Sequence, residues 1–383
     1  MFHYMYSLRQ NLTRRSWHRR VLERRSRVCA SSVPVNGLLN MLWMIATTPA
    51  GLLLPSPPPN FRSSTNILDS PDIIIRERLG EGSQAEVLLG ESASHGGRYA
   101  IKLGLKLGAI AREAAVLSVM QGRPGFPRVM HYEPSSGHGT VGAKGGVLVM
   151  ELLGPSLDVL CQKMGHYTYL SAPTVMRVGR EALSLLQQLH LAGFVHNDVK
   201  PGNFLVSKRS KRHAQAIHLI DFGLSTLVTD SSARSADALI GTPMFASLAA
   251  HYHRRAMRPV DDIESLVYML SYLAAGDLPW QGQPDERAAV MKKELMTNGC
   301  GMLVEGIHSS RVTDALHTMW EEVVRCRGDG RKELCLNSFD YEACAQVLQG
   351  RDKGEEGGGD VFKAPPFEWE DRARGAVPLD WGI

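Results

Sequence analysis

The apolar positions of this chain change their period once. From Ile73 the runs are short and set apart by Gly and Ser clusters: IIIRERLG, then AEVLLGE, then GRYAIKLG. Aliphatic runs bounded in this way predict an antiparallel meander of three strands. AIAREAAVLSVM, residues 109 to 120, predicts a helix behind it, and GVLVMELLG, residues 146 to 154, a further buried strand stopped by a Gly-Pro pair. After Ser156 the helical period takes over. Val178, Ala182, Leu185 and Leu189 recur at spacings of 4, 3 and 4, one stripe of a helix that Gly193 ends. Ile263, Leu266, Val267 and Leu270 repeat the pattern in DDIESLVYMLSYLAAG. Strands first and helices afterwards predict an α+β architecture, with a small sheet-bearing part over residues 71–153 and a larger, mainly helical part over 154–350. No internal repeat is evident.

The chain has 383 residues, 44% hydrophobic and 21% charged, the make-up of a globular protein with room for one two-lobed domain or two ordinary ones. Charge changes the picture at the N-terminus. Residues 1 to 30 hold eight arginines and one acid, Glu23, so this stretch carries +7 and the +4 of the whole chain leaves −3 for the rest. The basic character belongs to the leader, and no nucleic-acid partner is expected for the body. Arg-rich and acid-poor, the leader has the composition of an organelle transit peptide; a disordered extension or a start codon set too early accounts for it equally well. GLLNMLWMIATTPAGLLL, residues 37 to 54, is apolar but interrupted by Pro49 and Gly51, which makes it marginal as a membrane span. LPSPPPNFRSS reads as a stiff linker, so residues 1–70 are set apart from the fold. Residues 351–383, rich in Gly and charge, read as a loose tail. The six cysteines contain no C-x-x-C pair, which argues against a zinc site or a disulfide framework and fits a reducing compartment.

Candidate chemistry begins in LGEGSQAEV, residues 79 to 87, where Gly80 and Gly82 let backbone N–H groups approach phosphate oxygens. Alone, these glycines describe an ordinary hairpin. YAIK ends in Lys102, fifteen residues after Val87, in an otherwise apolar strand. Between Lys102 and Glu133 the chain offers one acid, Glu113, on the following helix. As an isolated pair these two would be surface charges; behind a Gly-rich hairpin, a buried ion pair beside a nucleotide is favoured.

FVHNDVKPGNFL, residues 194 to 205, then gathers Asp198, Lys200 and Asn203 in one loop. Phosphoryl transfer from ATP needs an oriented acceptor hydroxyl, neutralised γ-phosphate charge and a held Mg²⁺. Asp198 suits the proton-accepting role, Lys200 the developing charge, and Asn203 one metal position. IHLIDFG, residues 217 to 223, is an apolar strand running into Asp221, a second hard oxygen ligand. H-x-D-x-K-P-x-N followed by D-F-G, with 18 residues from Asn203 to Asp221, is a pattern for which chance is a poor competitor.

With these motifs the body resembles a protein kinase, and several stretches resemble the casein kinase 1 group in particular. They are MELLGPSLD (150–158), KPGNFL (200–205), GTPMFASLAAH (241–251) and DDIESLVYMLSYLAAGDLPWQG (261–282), in order within residues 72 to 346. The resemblance implies a two-lobed Ser/Thr kinase, a small antiparallel-sheet N-lobe on a larger helical C-lobe, with ATP as substrate and Mg²⁺ as cofactor. It implies Lys102 and Glu113 as the N-lobe ion pair, Asp198 as catalytic base with Lys200 beside it, and Asn203 and Asp221 as metal ligands. Gly80, Glu81, Gly82 and Ser83 would cover the phosphates. Leu79, Val87, Ala100 and Leu205 would sandwich adenine, with Met150 as gatekeeper and Glu151 to Leu153 as the adenine-contacting hinge. Thr242 would hold the catalytic loop, and Asp262 would anchor its backbone. Protein substrates, a monomeric kinase domain, and a cytoplasmic or nuclear location follow from the same resemblance, with organelle import the alternative set by the leader.

The departures are informative. Asn197 replaces the loop arginine that in many kinases clamps a phosphate on the activation segment, and a neutral amide cannot make that charge-assisted fork. The segment from Leu224 to Ile240 is short for the group. Ala85 stands for the third glycine. Met244 stands where the group carries an arginine for acidic or primed substrates; Arg254, Arg255 and Arg258 are nearby substitutes or a solvated charge run. SKRSKRH, residues 207 to 213, reads as an exposed insertion or a patch for an anionic partner or nuclear import. Two other classes compete: a pseudokinase scaffold that binds partners without transfer, which the intact motif set disfavours, and a kinase-fold enzyme acting on small molecules, against which the Gly-Thr loop and the hinge speak.

Overall fold

A computed structural model describes residues 72–134, 145–163, 169–207, 216–228, 239–252, 257–328, 339–349 and Phe367. The leader, the apolar run 37–54, residues 208–213, Arg254 and Arg255 lie outside these residues. Among the described residues no helix is long and apolar enough to cross a membrane.

The meander forms as its pattern requires. Strands β1 (Ile73–Glu81), β2 (Ala85–Ser92) and β3 (Arg98–Gly104) pair antiparallel, with two register shifts in β1 that bend it over its neighbour. Helix α1 (Ala109–Met120) follows. Strand β4 (Val129–Glu133), which the mixed stretch VMHYE hides from pattern reading, pairs with β5 (Val147–Glu151), and β5 with β3. The sheet order is therefore 1-2-3-5-4. Ile101, Val147 and Val149 form its core, closed by Ile73, Leu88, Tyr99 and Leu103. The strand expected over 146–154 ends at Glu151; beyond it Gly154 turns its N–H to the Val206 carbonyl instead.

The larger part is helical: α2 (Leu157–Lys163), α3 (Ala172–Leu191), α4 (Leu248–Tyr252), α5 (Pro259–Ala275), α6 (Asp285–Asn298), α7 (Gly301–Val304), α8 (Ser310–Gly328) and α9 (Tyr341–Leu348). Short ribbons β6 (Phe194–Val195) with β9 (Thr226–Leu227), and β7 (Phe204–Val206) with β8 (Ile217–Leu219), carry the loops between them. This is the α+β, two-lobed arrangement expected, an antiparallel five-stranded lobe and a helical one.

Helix α5 is the axis of the helical lobe because nearly its whole circumference is buried, not one stripe. Its apolar residues from Ile263 to Leu270 are at most 1% exposed, and each such leucine is worth about 2–5 kcal/mol against alanine. Tyr268 packs edge-on against Trp280, with ring centroids 4.9 Å apart. Two acids buried at the start of this helix, Asp261 and Glu264, are neutralised by Arg327 of α8. The stripe read from α3 is buried in full, and Gly179 lets α3 cross closely: a Cβ there would stand 2.9 Å from Leu348 Cδ2 and 3.0 Å from Leu270 Cδ1. Within the stretch expected to be a loose tail, Phe367 is buried at 1% exposure, and the Arg177 guanidinium lies over its ring at 3.8 Å.

Candidate active site

Strand β3 puts Lys102 between Val87 on β2 and Leu148 on β5, an apolar frame that strips its amine of water. The amine is compensated twice. Lys102 Nζ lies 2.6 Å from Glu113 Oε2, on α1, and 2.8 Å from Asp221 Oδ1, at the end of β8. Burial works against the lysine's charge, but the two carboxylates outweigh it and hold Lys102 above its ordinary range. Burial likewise raises Asp221, and the Lys102 charge more than reverses it, leaving that carboxylate below the usual range. For Glu113 burial is the larger influence and pushes it up, with Lys102 opposing. One cation thus ties the sheet, the helix behind it and the helical lobe together.

The Asp221 geometry is locally enforced. Its backbone is left-handed (φ 62°), which aims the carboxylate back at Lys102 while the next residue, Phe222, goes inward. Phe222 is fully buried, stacked on Phe126 at 6.1 Å and edge-on to His196 at 5.2 Å. Arg112 of α1 donates to the Gly223 carbonyl, so the helix carrying Glu113 also holds the turn after Asp221.

A second cluster forms around Asp198. Its Oδ1 accepts from the Thr242 amide at 2.9 Å and the Thr242 hydroxyl at 2.8 Å. Its Oδ2 is 2.7 Å from Lys200 Nζ, and Lys200 also donates to the Thr242 hydroxyl at 2.8 Å. Asn203 Nδ2 donates to the Asp198 carbonyl at 2.8 Å, which leaves its amide oxygen as the end available to a cation. The two clusters are joined through Ile220: its N–H donates to the Asn203 carbonyl at 3.0 Å, and His196 Nε2–H donates to its carbonyl at 3.0 Å. Asn203 and Asp221 are hard oxygen donors on adjoining, mutually bonded segments, a set that fits Mg²⁺ better than a soft-ligand metal.

The loop itself hangs from α5. Asp262, 2% exposed, accepts from the His196 amide at 2.7 Å, the Asn197 amide at 2.8 Å and His190 Nε2 at 2.8 Å. His190 Nδ1 in turn meets the Tyr341 hydroxyl of α9 at 2.5 Å. Removing the carboxylate orphans two buried amides and an imidazole. Asp262→Ala is therefore expected to lower unfolding free energy by about 3–5 kcal/mol, read from the urea midpoint at constant m.

Asn197 has a positive φ of 72°, a conformation that asparagine tolerates better than most side chains. Its Nδ2 donates to the Leu224 carbonyl at 2.8 Å and to Thr226 Oγ1 at 3.0 Å, tying the loop that carries Asp198 to β9 and the residues before it. A neutral anchor thus occupies the position of the missing arginine.

The other expected residues fall in two places. Leu79, Val87, Ala100 and Met150 belong to the five-stranded sheet, where Val87 pairs with Gly80 and Lys102, and Ala100 with Met150. Leu205 rises from β7 and bridges to Ser156 just beyond the hinge. Glu151 ends β5, its carboxylate fixed by the Arg128 amide at 2.8 Å, and the chain runs on through Leu153 without regular structure. Gly80 lies in β1, and Gly82 closes the turn, donating to the Ala85 carbonyl at 2.9 Å. Glu81 pairs with Arg78, and Ser83 is exposed. Arg112 and Lys292 are missed from the sequence, and the motif marks His196 without its partner; each acts through backbone carbonyls of distant segments, which no spacing rule reveals.

One lysine is shared between the two lobes, and an acid, a cation and an amide gather on one loop of the larger lobe. The chain belongs to the protein kinase family: residues 73–327 match the protein kinase domain. It is 35% identical over 253 residues to a casein kinase 1-like protein, HD16, of Oryza sativa subsp. japonica, an alignment covering 60% of this chain and 34% of that relative. The chain thus spans about a third of the length of the curated relative it matches.

Proposed function

We propose that this chain is a serine/threonine protein kinase of casein kinase 1 type that transfers the γ-phosphate of ATP to Ser or Thr hydroxyls of protein substrates. The observation that carries the reading is the double engagement of Lys102, 2.6 Å from Glu113 and 2.8 Å from Asp221, which leaves the two lobes already set for nucleotide. In the reaction the acceptor oxygen bonds to the γ-phosphorus, the bond from that phosphorus to the β,γ-bridging oxygen breaks, and the hydroxyl proton passes to Asp198. Thr242 fixes Oδ1 of that base, and Lys200, 2.7 Å from Oδ2, meets the charge gathering on the transferred group. Bound Mg²⁺, held by Asn203 and Asp221, would neutralise phosphate charge. Lys102 orients the phosphates while Glu113 keeps Lys102 in place, and the Gly80–Ser83 turn covers them with backbone N–H groups.

The test is transfer of labelled phosphate from ATP to dephosphorylated casein, an acidic protein, and to a primed peptide, followed by identification of the modified amino acid. Phosphoserine or phosphothreonine is expected. Nucleotide binding with no transfer to either acceptor would favour the scaffold reading instead.

Asn197 supports independence from activation-segment phosphorylation, because its neutral amide ties the loop to Leu224 and Thr226 through groups of the chain itself. Replacing Thr229, Ser231, Ser232 and Ser235 together by Ala, in a segment outside the described residues, is expected to leave kcat within about twofold. Loss of activity in that variant would refute the idea.

A further inference from the structure

Lys292 stands apart from the catalytic set, on α6, and is fully buried. Its neighbours Lys293 and Glu294 on the same helix are exposed, so the burial is specific to this one side chain. Among the described residues its amine makes no ion pair. It donates to the Pro243 carbonyl at 2.7 Å and the Ala246 carbonyl at 2.8 Å, and meets His251 Nε2 at 3.0 Å. The rings of Trp280 and Tyr268 lie 4.9 and 5.2 Å from the nitrogen. Burial brings the amine down to about 7, with Glu264 and Asp285 opposing only in part. A helix-surface lysine would ordinarily avoid such a place; here both carbonyls it reaches belong to one loop.

That loop is the stretch after Thr242, whose hydroxyl and amide hold Asp198. Trp280 Nε1 donates to the Met244 carbonyl at 2.8 Å. Three carbonyls of the loop, those of Pro243, Met244 and Ala246, are thus drawn inward by two side chains of the helical lobe. The outer face is left to the exposed Pro243 and half-buried Met244, one and two residues from the group that orients the base. On the kinase reading, this face borders the approach of an acceptor hydroxyl to Asp198, which Thr242 holds.

We propose that Lys292 is a positioning residue for the protein acceptor, fixing the Thr242–Ser247 loop from beneath by bonding its Pro243 and Ala246 carbonyls. The inference rests on the kinase reading for its kinetic consequence, but not for its structural one. Lys292→Met keeps length and removes the donors; Lys292→Gln keeps two N–H donors without the charge. In the full chain, with dephosphorylated casein as acceptor, Lys292→Met is expected to raise the KM for casein about tenfold or more while the KM for ATP stays within about twofold. Lys292→Gln is expected to return the casein KM to within about threefold of wild type. Hydrogen exchange of the peptide spanning residues 242–250 should quicken about tenfold in Lys292→Met and little in Lys292→Gln. A general loosening would instead move both KM values and exchange throughout the lobe. Equal KM values in wild type and Lys292→Met, a Gln variant as impaired as Met, or unchanged exchange of this loop would overturn the proposal. If wild type transfers no phosphate, the kinase reading fails, and the exchange measurement alone decides the role of Lys292.

Discussion

Asp198→Asn is expected to lower kcat for phosphoryl transfer by about a hundred- to ten-thousand-fold while nucleotide binding persists. The substitution is nearly isosteric, so the loop should keep its shape. The amide oxygen can still accept from the Thr242 amide and hydroxyl, which now bind Asp198 Oδ1 at 2.9 and 2.8 Å. The other end changes character. An amide nitrogen would face Lys200 Nζ, which lies 2.7 Å from Oδ2 in the native protein, and two donors cannot share that contact. Lys200 must then move, and no group remains to take the acceptor's proton. Lys102 is engaged by Glu113 and Asp221, not by Asp198, so the lysine proposed to orient phosphates should be undisturbed. The measurement is steady-state transfer to casein together with titration of a fluorescent nucleotide. A scaffold without transfer would give the same trace for both proteins, and activity retained in the variant would remove Asp198 from the base's role.

How much of this site could be read in advance depended on the distance over which each contact acts. Lys102 and Glu113 were paired because the intervening chain offers no other acid, and the amine and carboxylate are 2.6 Å apart. The central helix was legible because its apolar residues repeat densely enough to mark a buried axis. Strand β4 was not, since Val129–Glu133 mixes polar and apolar side chains and owes its conformation to pairing with β5. The acids of α5 show a further limit. Asp261 and Glu264 sit at the solvated-looking start of an amphipathic run, but Arg327, more than sixty residues on, makes their burial possible. Lys292 is the extreme case, because MKKEL reads as a solvated face and only the carbonyls of Pro243 and Ala246 explain the direction of that lysine.

Asn197 teaches something different. Pattern reading registers a missing arginine and hence a lost regulatory contact. The structure shows what the asparagine supplies: a backbone at φ 72° that suits it, and an amide bonded to Leu224 and Thr226. Among the described residues its Oδ1 is buried without a partner, a cost of about 1–3 kcal/mol. The anchor is therefore held by the loop's geometry more than by its own hydrogen-bond energy, as expected where Asp262 already fixes the Asn197 amide at 2.8 Å.

The strongest coupled effect is expected at Lys102. Lys102→Met should reduce kcat/KM for ATP-dependent transfer by about a thousandfold, because the group proposed to face the phosphates is lost with its charge. It should also destabilise the fold by about 3–5 kcal/mol at pH 7, since Glu113, 1% exposed, is left as an unpaired buried carboxylate. The pH dependence separates this cause from a packing defect. In wild type the raised Lys102 contributes stability that is complete below the unfolded lysine value and fades only as pH rises through the folded one. The lowered Asp221 contributes stability above the unfolded carboxylate value, lost as pH falls through the folded one, so these two are insensitive across neutral pH; the raised Glu113 takes stability away as pH rises above its unfolded value, an effect that Lys102 opposes. Without the lysine, burial and the Asp221 charge push Glu113 further up, opposed only by the Phe222 amide. The folded variant then binds a proton that the unfolded chain has released, and its stability should fall as pH rises from about 4.5 through the raised Glu113 value. Urea unfolding of wild type and Lys102→Met at pH 5 and pH 8 reads this directly, and the variant should lose more stability than wild type between the two. Adding Glu113→Gln should restore most of the lost stability at pH 8 and none of the activity. A pH-independent deficit, unmoved by the second substitution, would mean that Lys102 matters to the fold only through the packing of its stem and that its amine carries no charge for Glu113 to balance.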